Sequence, residues 1–154
     1  MQPITLTPIG VVEGGRSEPV DDHWGDVEST IVLDGTRFGP EVVAGLHDFS
    51  HLDVVFFFHL VHEDGVNLGA RRPRGRDDWP LVGIFAQRAK ARPNRLGIST
   101  CELLAVEGLR LRVQGLDAVD GTPVLDIKPY VREFGPRSQV RQPVWMTDLM
   151  AEYW

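Results

Sequence analysis

The sequence predicts a mostly-β single domain, a small β-barrel with a few short helices. Three observations carry this. Sixteen glycines and eleven prolines punctuate all 154 residues, so few uninterrupted stretches exceed ten residues. "HLDVVFFFHLV" (51–61) is a β-branched and aromatic run of strand length. In "LRLRVQ" Leu109, Leu111 and Val113 alternate with Arg110, Arg112 and Gln114, giving one dry and one wet face. At 42% hydrophobic and 25% charged, residues 1–154 have the composition of one ordinary globular domain with a sizeable core.

The elements follow in order. Residues 4–12 (ITLTPIGVV) and 28–33 (ESTIVL) read as strands. A short helix is expected after Pro40 (PEVVAGLH), because proline suits the first helical position. The run 51–61, rich in β-branched and aromatic side chains and of strand length, predicts a strand buried on both faces. LVGIFA (81–86), GISTCELLAVE (97–107) and LRLRVQGL (109–116) read as further strands. Glu107-Gly108 turns the last two into a hairpin. Asp120-Gly121-Thr122-Pro123 is a turn, since aspartate can hydrogen-bond its own backbone and glycine permits positive φ. Asp126 and Lys128, two apart on one side of the strand that follows, can pair. TDLMAEYW (147–154) reads as a second helix with Thr147 as its N-cap.

Composition narrows the chemistry. The lone cysteine, Cys101, lies in an apolar run and reads as a core residue, not a nucleophile. The first residues lack a charged segment followed by a long apolar one, which predicts no signal peptide and a cytoplasmic protein. Glycine-rich nucleotide-binding motifs, G-x-S-x-G and C-x-x-C are absent. The five histidines have no metal-ligand spacing, so no metal is expected. The net charge is −6, yet between Arg71 and Arg95 eight cationic side chains face only Asp77 and Asp78. That concentration points either to a solvated loop or to a site for an anionic ligand.

Four stretches, "PIGVV", "FSHLDVVFFFH", "GIFAQRAKARPNRLGIS" and "GLDAVDGTPVLDIKPYV", occur in that order across residues 8–131. They resemble the TsaA-like (YaeB-like) family of small β-barrel proteins, which includes the tRNA adenine-37 N6-methyltransferases. The resemblance implies S-adenosylmethionine as cofactor, a homodimer, and methylation of N6-threonylcarbamoyladenosine at position 37 of tRNA. Position by position it places cofactor contacts at His59 and Leu60, Arg88, Ile98, and Leu116, Asp117, Ala118, Val119 and Asp120. His23 and Trp24 correspond to an N-terminal contact loop. Arg88 suits a carboxylate through a bidentate pair. Asp117 or Asp120 suits the cationic groups or ribose hydroxyls, and Ile98 and Leu116 can sandwich an adenine. Arg92-Pro93-Asn94-Arg95 and Gly121-Thr122-Pro123 are then stiff corners on facing pocket walls. Arg71, Arg72, Arg74, Arg76, Arg92 and Arg95 are left for RNA phosphates or a partner subunit. No catalytic residue is assigned; His59 and a loop aspartate are both open as bases. Gln87, Ala89, Lys90, Arg95 and Asp53 depart from the usual family pattern. An S-adenosylmethionine-binding barrel serving a small molecule, or a sensor or interaction module, is the alternative.

Overall fold

The computed structural model describes residues 2–154. Six strands close into an antiparallel barrel in the order β1-β2-β7-β6-β3-β8, with β8 returning to β1. They are β1 (Gly10–Glu13), β2 (Glu28–Leu33), β3 (His51–Phe57), β6 (Leu96–Glu107), β7 (Arg110–Gln114) and β8 (Pro123–Pro129). Between β3 and β6 a two-stranded ribbon, β4 (Ala70–Arg71) with β5 (Val82–Gly83), stands apart from the barrel. Closure leaves no barrel strand with an unpaired edge.

Alternation fills the interior. Val12, Ile31, Leu52, Val54, Phe56, Leu111, Val113 and Val124 are fully or almost fully buried and form one core. Each such side chain contributes about 1.5–3 kcal/mol by leaving water. The run 51–61 therefore behaves differently from its expected form. In β3 only Leu52, Val54 and Phe56 point inward; His51, Asp53, Val55 and Phe57 are half-exposed, and the strand stops at Phe57. A barrel has one dry side, so a continuous apolar run is not buried twice.

Other boundaries shift for local reasons. The first strand begins at Gly10, not at residue 4. Pro8 has no N–H to give a ladder, so pairing starts only where Ile9 N donates to Val124 O at 2.8 Å. In 81–86 only Val82–Gly83 pair, and Ile84–Ala86 wind into a 3-10 turn. The stretch after Pro40 gives two 3-10 turns, Pro40–Val43 and Leu46–Asp48, separated by Gly45 at φ 80°. The last helix, α1 (Val144–Leu149), starts earlier than expected and Pro143 occupies its N-cap. Thr147 lies inside it and its hydroxyl accepts from Gln142 Nε2 at 3.0 Å. The hairpin at Gly108 (φ 60°) and the turn at Gly121 (φ 77°) form as expected, and Lys128 pairs with Asp126.

One close approach fixes how β6 crosses β3. Gly97 faces the ring of Phe56, and a Cβ there would sit 2.4 Å from Cε2. We expect Gly97→Ala to lower stability by about 1–3 kcal/mol through overpacking. Gly83→Ala, where a Cβ meets nothing within 4 Å, should stay within about 1 kcal/mol of wild type. Urea unfolding of both variants checks this.

Candidate functional site

Both proline-stiffened corners line one open cavity of about 1190 Å³ on the flank of the barrel. Pro93 and Asn94 of the first and Thr122 of the second are in its lining. The first corner is forced: Asn94 and Arg95 have φ of 65° and 51°, left-handed values that cost non-glycine residues free energy. Three hydrogen bonds hold it. Arg92 Nη1 donates to Gln87 O at 2.9 Å and Arg95 Nη1 to Val61 O at 2.6 Å. Phe58 N donates to Arg95 O at 2.8 Å. Arg95 also lies over the Phe57 ring, 4.6 Å from its centroid. The two arginines on this corner therefore brace backbone.

Most of the expected contact residues meet at the cavity. His59, Leu60, Arg88, Ile98, Asp117, Ala118, Val119 and Trp24 line it. Arg88 Nη2 donates to Ile98 O at 2.8 Å, tying those two together. His59 reaches the 116–121 loop: a Cβ on Gly121 would lie 3.8 Å from its Nε2. Three expectations change. Leu116 is fully buried in the barrel core, so it does not pair with Ile98 to sandwich a base. Asp120 is outside the lining and pins two loops together instead. Its Oδ1 accepts from Gly14 N at 2.7 Å and its own N–H donates to Arg16 O at 2.7 Å. His23 sits at φ 62° with its backbone engaged, its carbonyl accepting from Arg16 Nη2 at 2.5 Å, and it too is outside the lining.

Asp117 is the polar centre. Its two carboxylate oxygens accept from Ser99 Oγ on β6 and from the Tyr153 hydroxyl. Tyr153 belongs to the segment after α1, and that segment was not legible as a site. It docks through His23 N to Glu152 O and Trp24 N to Tyr153 O, both 2.8 Å. Gly25 makes room, since a Cβ there would meet the Trp154 carbonyl carbon at 2.8 Å. Trp145, Met146, Leu149, Met150, Tyr153 and Trp154 all line the cavity. Only their apolar spacing hinted at burial; nothing local said against what.

Charge is segregated. Of the eight cations between Arg71 and Arg95, five have a carboxylate within 4.0 Å. Arg72 faces Asp77, Arg74 grips Asp22, Arg76 pairs with Asp78, Lys90 faces Asp21 and Arg95 faces Glu63. The stretch is thus not one continuous phosphate-reading strip. Among the described residues Arg71, Arg88 and Arg92 are the cations of this stretch without an acidic partner, and all three line the cavity. Cys101 is buried on β6; burial, then the charges of Asp117 and Asp53, push its thiol up to about 12, which removes it as a nucleophile.

Residues 19–135 match the family model described as the tRNA-methyltransferase O N-terminal domain. The chain belongs to this family. A Pyrococcus abyssi relative named "Probable S-adenosyl-L-methionine-binding protein" is 38% identical over 146 residues, 90% of this chain and 74% of the relative. The tRNA (adenine(37)-N6)-methyltransferase of Escherichia coli K12 is 43% identical over 95 residues, 59% of this chain and 40% of that enzyme. The crystal structure of TrmO from Pseudomonas aeruginosa aligns with a TM-score of 0.75 at 30% identity, covering 93% of this chain and 63% of that one. The chain thus spans less than two thirds of these two TrmO-type proteins, and it carries the family's closed barrel.

Burial, then the Asp117 charge and hydrogen bond, raise the Tyr153 phenol above its ordinary value. A raised phenol favours the neutral form in the fold. Its stability is fully present below the unfolded value near 10 and is lost as pH rises beyond it. Between about pH 8 and about pH 11 the wild type should lose more stability than Tyr153→Phe. Urea midpoints of both proteins across that range check it.

Proposed function

We propose that this TrmO-family chain is an S-adenosylmethionine-dependent methyltransferase acting on N6 of adenosine 37 in tRNA, with the threonylcarbamoyl-modified base as acceptor. The observation that carries the reading is the cavity itself, where three arginines free of acidic partners meet the Asp117 loop and the proline corners. About 300–1000 Å³ suits a small-molecule ligand, and this cavity has room for a cofactor and part of an acceptor.

The donor set suits the cofactor. Arg88, held by the Ile98 carbonyl, keeps further N–H groups for a carboxylate. Asp117 and the carbonyls of its loop suit an ammonium or ribose hydroxyls. Ile98, 52% exposed, and the Phe58 side chain give apolar wall for an adenine. When bound, S-adenosylmethionine supplies an electrophilic methyl group on a sulfonium. The protein's part is to align the acceptor nitrogen with it, and orientation of this kind is worth up to about 7–11 kcal/mol. Both oxygens of Asp117 are already committed to Ser99 and Tyr153, so its role is binding. His59 and Asp53, both in the lining, are the groups placed to take the proton that N6 gives up.

A tRNA acceptor fits a cytoplasmic protein. A homodimer completes the reading. Phe85 and Phe134 stand 80% and 86% exposed, with Leu68 and Leu81 also outward, apolar side chains that a second copy could cover.

Calorimetry should find one S-adenosylmethionine site per chain. Arg88→Ala should weaken it by about 1.5–3 kcal/mol. Nucleoside mass spectrometry of modified tRNA, incubated with cofactor and protein, should gain one methyl on the threonylcarbamoyl nucleoside. Cofactor binding without that product would favour the sensor or small-molecule alternative. Light scattering at micromolar protein should give twice the 17.2 kDa chain mass.

A further inference from the structure

The three acid-free arginines are not equivalent. Arg88 and Arg92 each spend an Nη on a backbone carbonyl. Arg71 Nε is buried and has no hydrogen-bond acceptor. A buried N–H without a partner costs desolvation, and with Nε closed to solvent the guanidinium can meet a ligand in the cavity only through its Nη groups, which make no hydrogen bond among the described residues. The cavity's acids do not meet it: Asp21 serves Arg74 and Lys90, Asp53 accepts from Thr100, and Asp117 is doubly bonded.

The position is also built. Arg71 pairs with Val82 in the β4–β5 ribbon. Gln87 Nε2 donates to both Arg71 O and Val82 O at 3.0 Å, and Gln87 is itself buried. One side-chain amide thus clamps the ribbon beneath the arginine.

From this we infer that Arg71, clamped by Gln87, is a second anion subsite, distinct from the one assigned to the cofactor carboxylate, and that it receives an anionic oxygen of the acceptor. The inference rests on the methyltransferase reading. The shared chemistry is an anionic oxygen accepting from a guanidinium. It has two sources in the acceptor, the carboxylate on the N6 substituent and a backbone phosphate near the target base.

The test uses the full chain with Arg71→Gln, with urea midpoints confirming that the variant is folded. S-adenosylmethionine affinity should stay within about twofold of wild type. With S-adenosylhomocysteine present, free N6-threonylcarbamoyladenosine should bind the variant about ten- to a hundredfold more weakly, and its neutral methyl ester should bind both proteins equally. That result assigns the carboxylate. If nucleoside affinity holds but the salt slope for an unmodified anticodon stem-loop shrinks by about 0.7–0.9, the phosphate is assigned. If the folded variant matches wild type on nucleoside, ester and RNA, the subsite does not exist. A large loss of cofactor affinity would overturn it as well, since Arg71 would then hold the cofactor. Titration with inorganic sulfate separates this idea from the reading beneath it. The Arg71 guanidinium N–H resonances, identified by their loss in the variant, should shift in wild type even if S-adenosylmethionine does not bind.

Discussion

The Asp117 carboxylate joins the parts of this molecule that make a site. It accepts from Ser99 on β6 and from Tyr153 beyond α1. A half-buried carboxylate needs such donors, because charge removed from water must be hydrogen-bonded. By satisfying it, the fold ties the 116–121 loop, the longest strand and the segment 144–154 around one cavity. That segment then supplies a wall of tryptophan, methionine and tyrosine side chains. Without the Tyr153 bond the wall would be held only by backbone contacts to residues 23 and 24 and by apolar packing.

A second constraint is where positive charge is left over. The protein carries a net −6, and five cations of its basic stretch are met by carboxylates, Arg72 and Arg76 by Asp77 and Asp78 within the stretch and Arg74, Lys90 and Arg95 by Asp22, Asp21 and Glu63 from outside it. Asp22 takes Arg74 in a two-bond grip, with oxygens at 2.5 and 2.8 Å. That grip lowers the aspartate's pKa, through the hydrogen bond first and the charge second. What remains without an acid, Arg71, Arg88 and Arg92, faces inward to the cavity. Arg74 and Lys90 line the same cavity but arrive already paired with Asp22 and Asp21, so only three of its cations lack an acid. The strained corner at Asn94 and Arg95 persists for the same reason that such corners persist elsewhere: the surrounding hydrogen bonds over-determine it.

Much of this was readable in one dimension. The hairpin at Gly108, the turn at Gly121, strand 28–33 and the long strand near 97–107 follow from local signals, turn residues and alternation, that need no partner to be recognised. His59, Arg88, Ile98 and Asp117–Val119 were expected at a cofactor site from family motifs, and they line one cavity. Leu116 and Asp120 illustrate the limit. They share the motif with Asp117, yet Leu116 fills the core while Asp120, at the exposed turn before β8, staples two loops.

What the sequence determined alone was the class of fold, the strand-and-turn rhythm, the inert environment of Cys101 and the concentration of arginine between 71 and 95. All of these depend on neighbours in the chain. What only the tertiary structure decided was which arginines are neutralised, that an apolar run at 51–57 has a wet side, that Gln87 clamps Arg71, and that Tyr153 reaches Asp117 across 36 residues. Each of those depends on a pairing between distant segments. Barrel closure sets such pairings all at once, and no local pattern contains them.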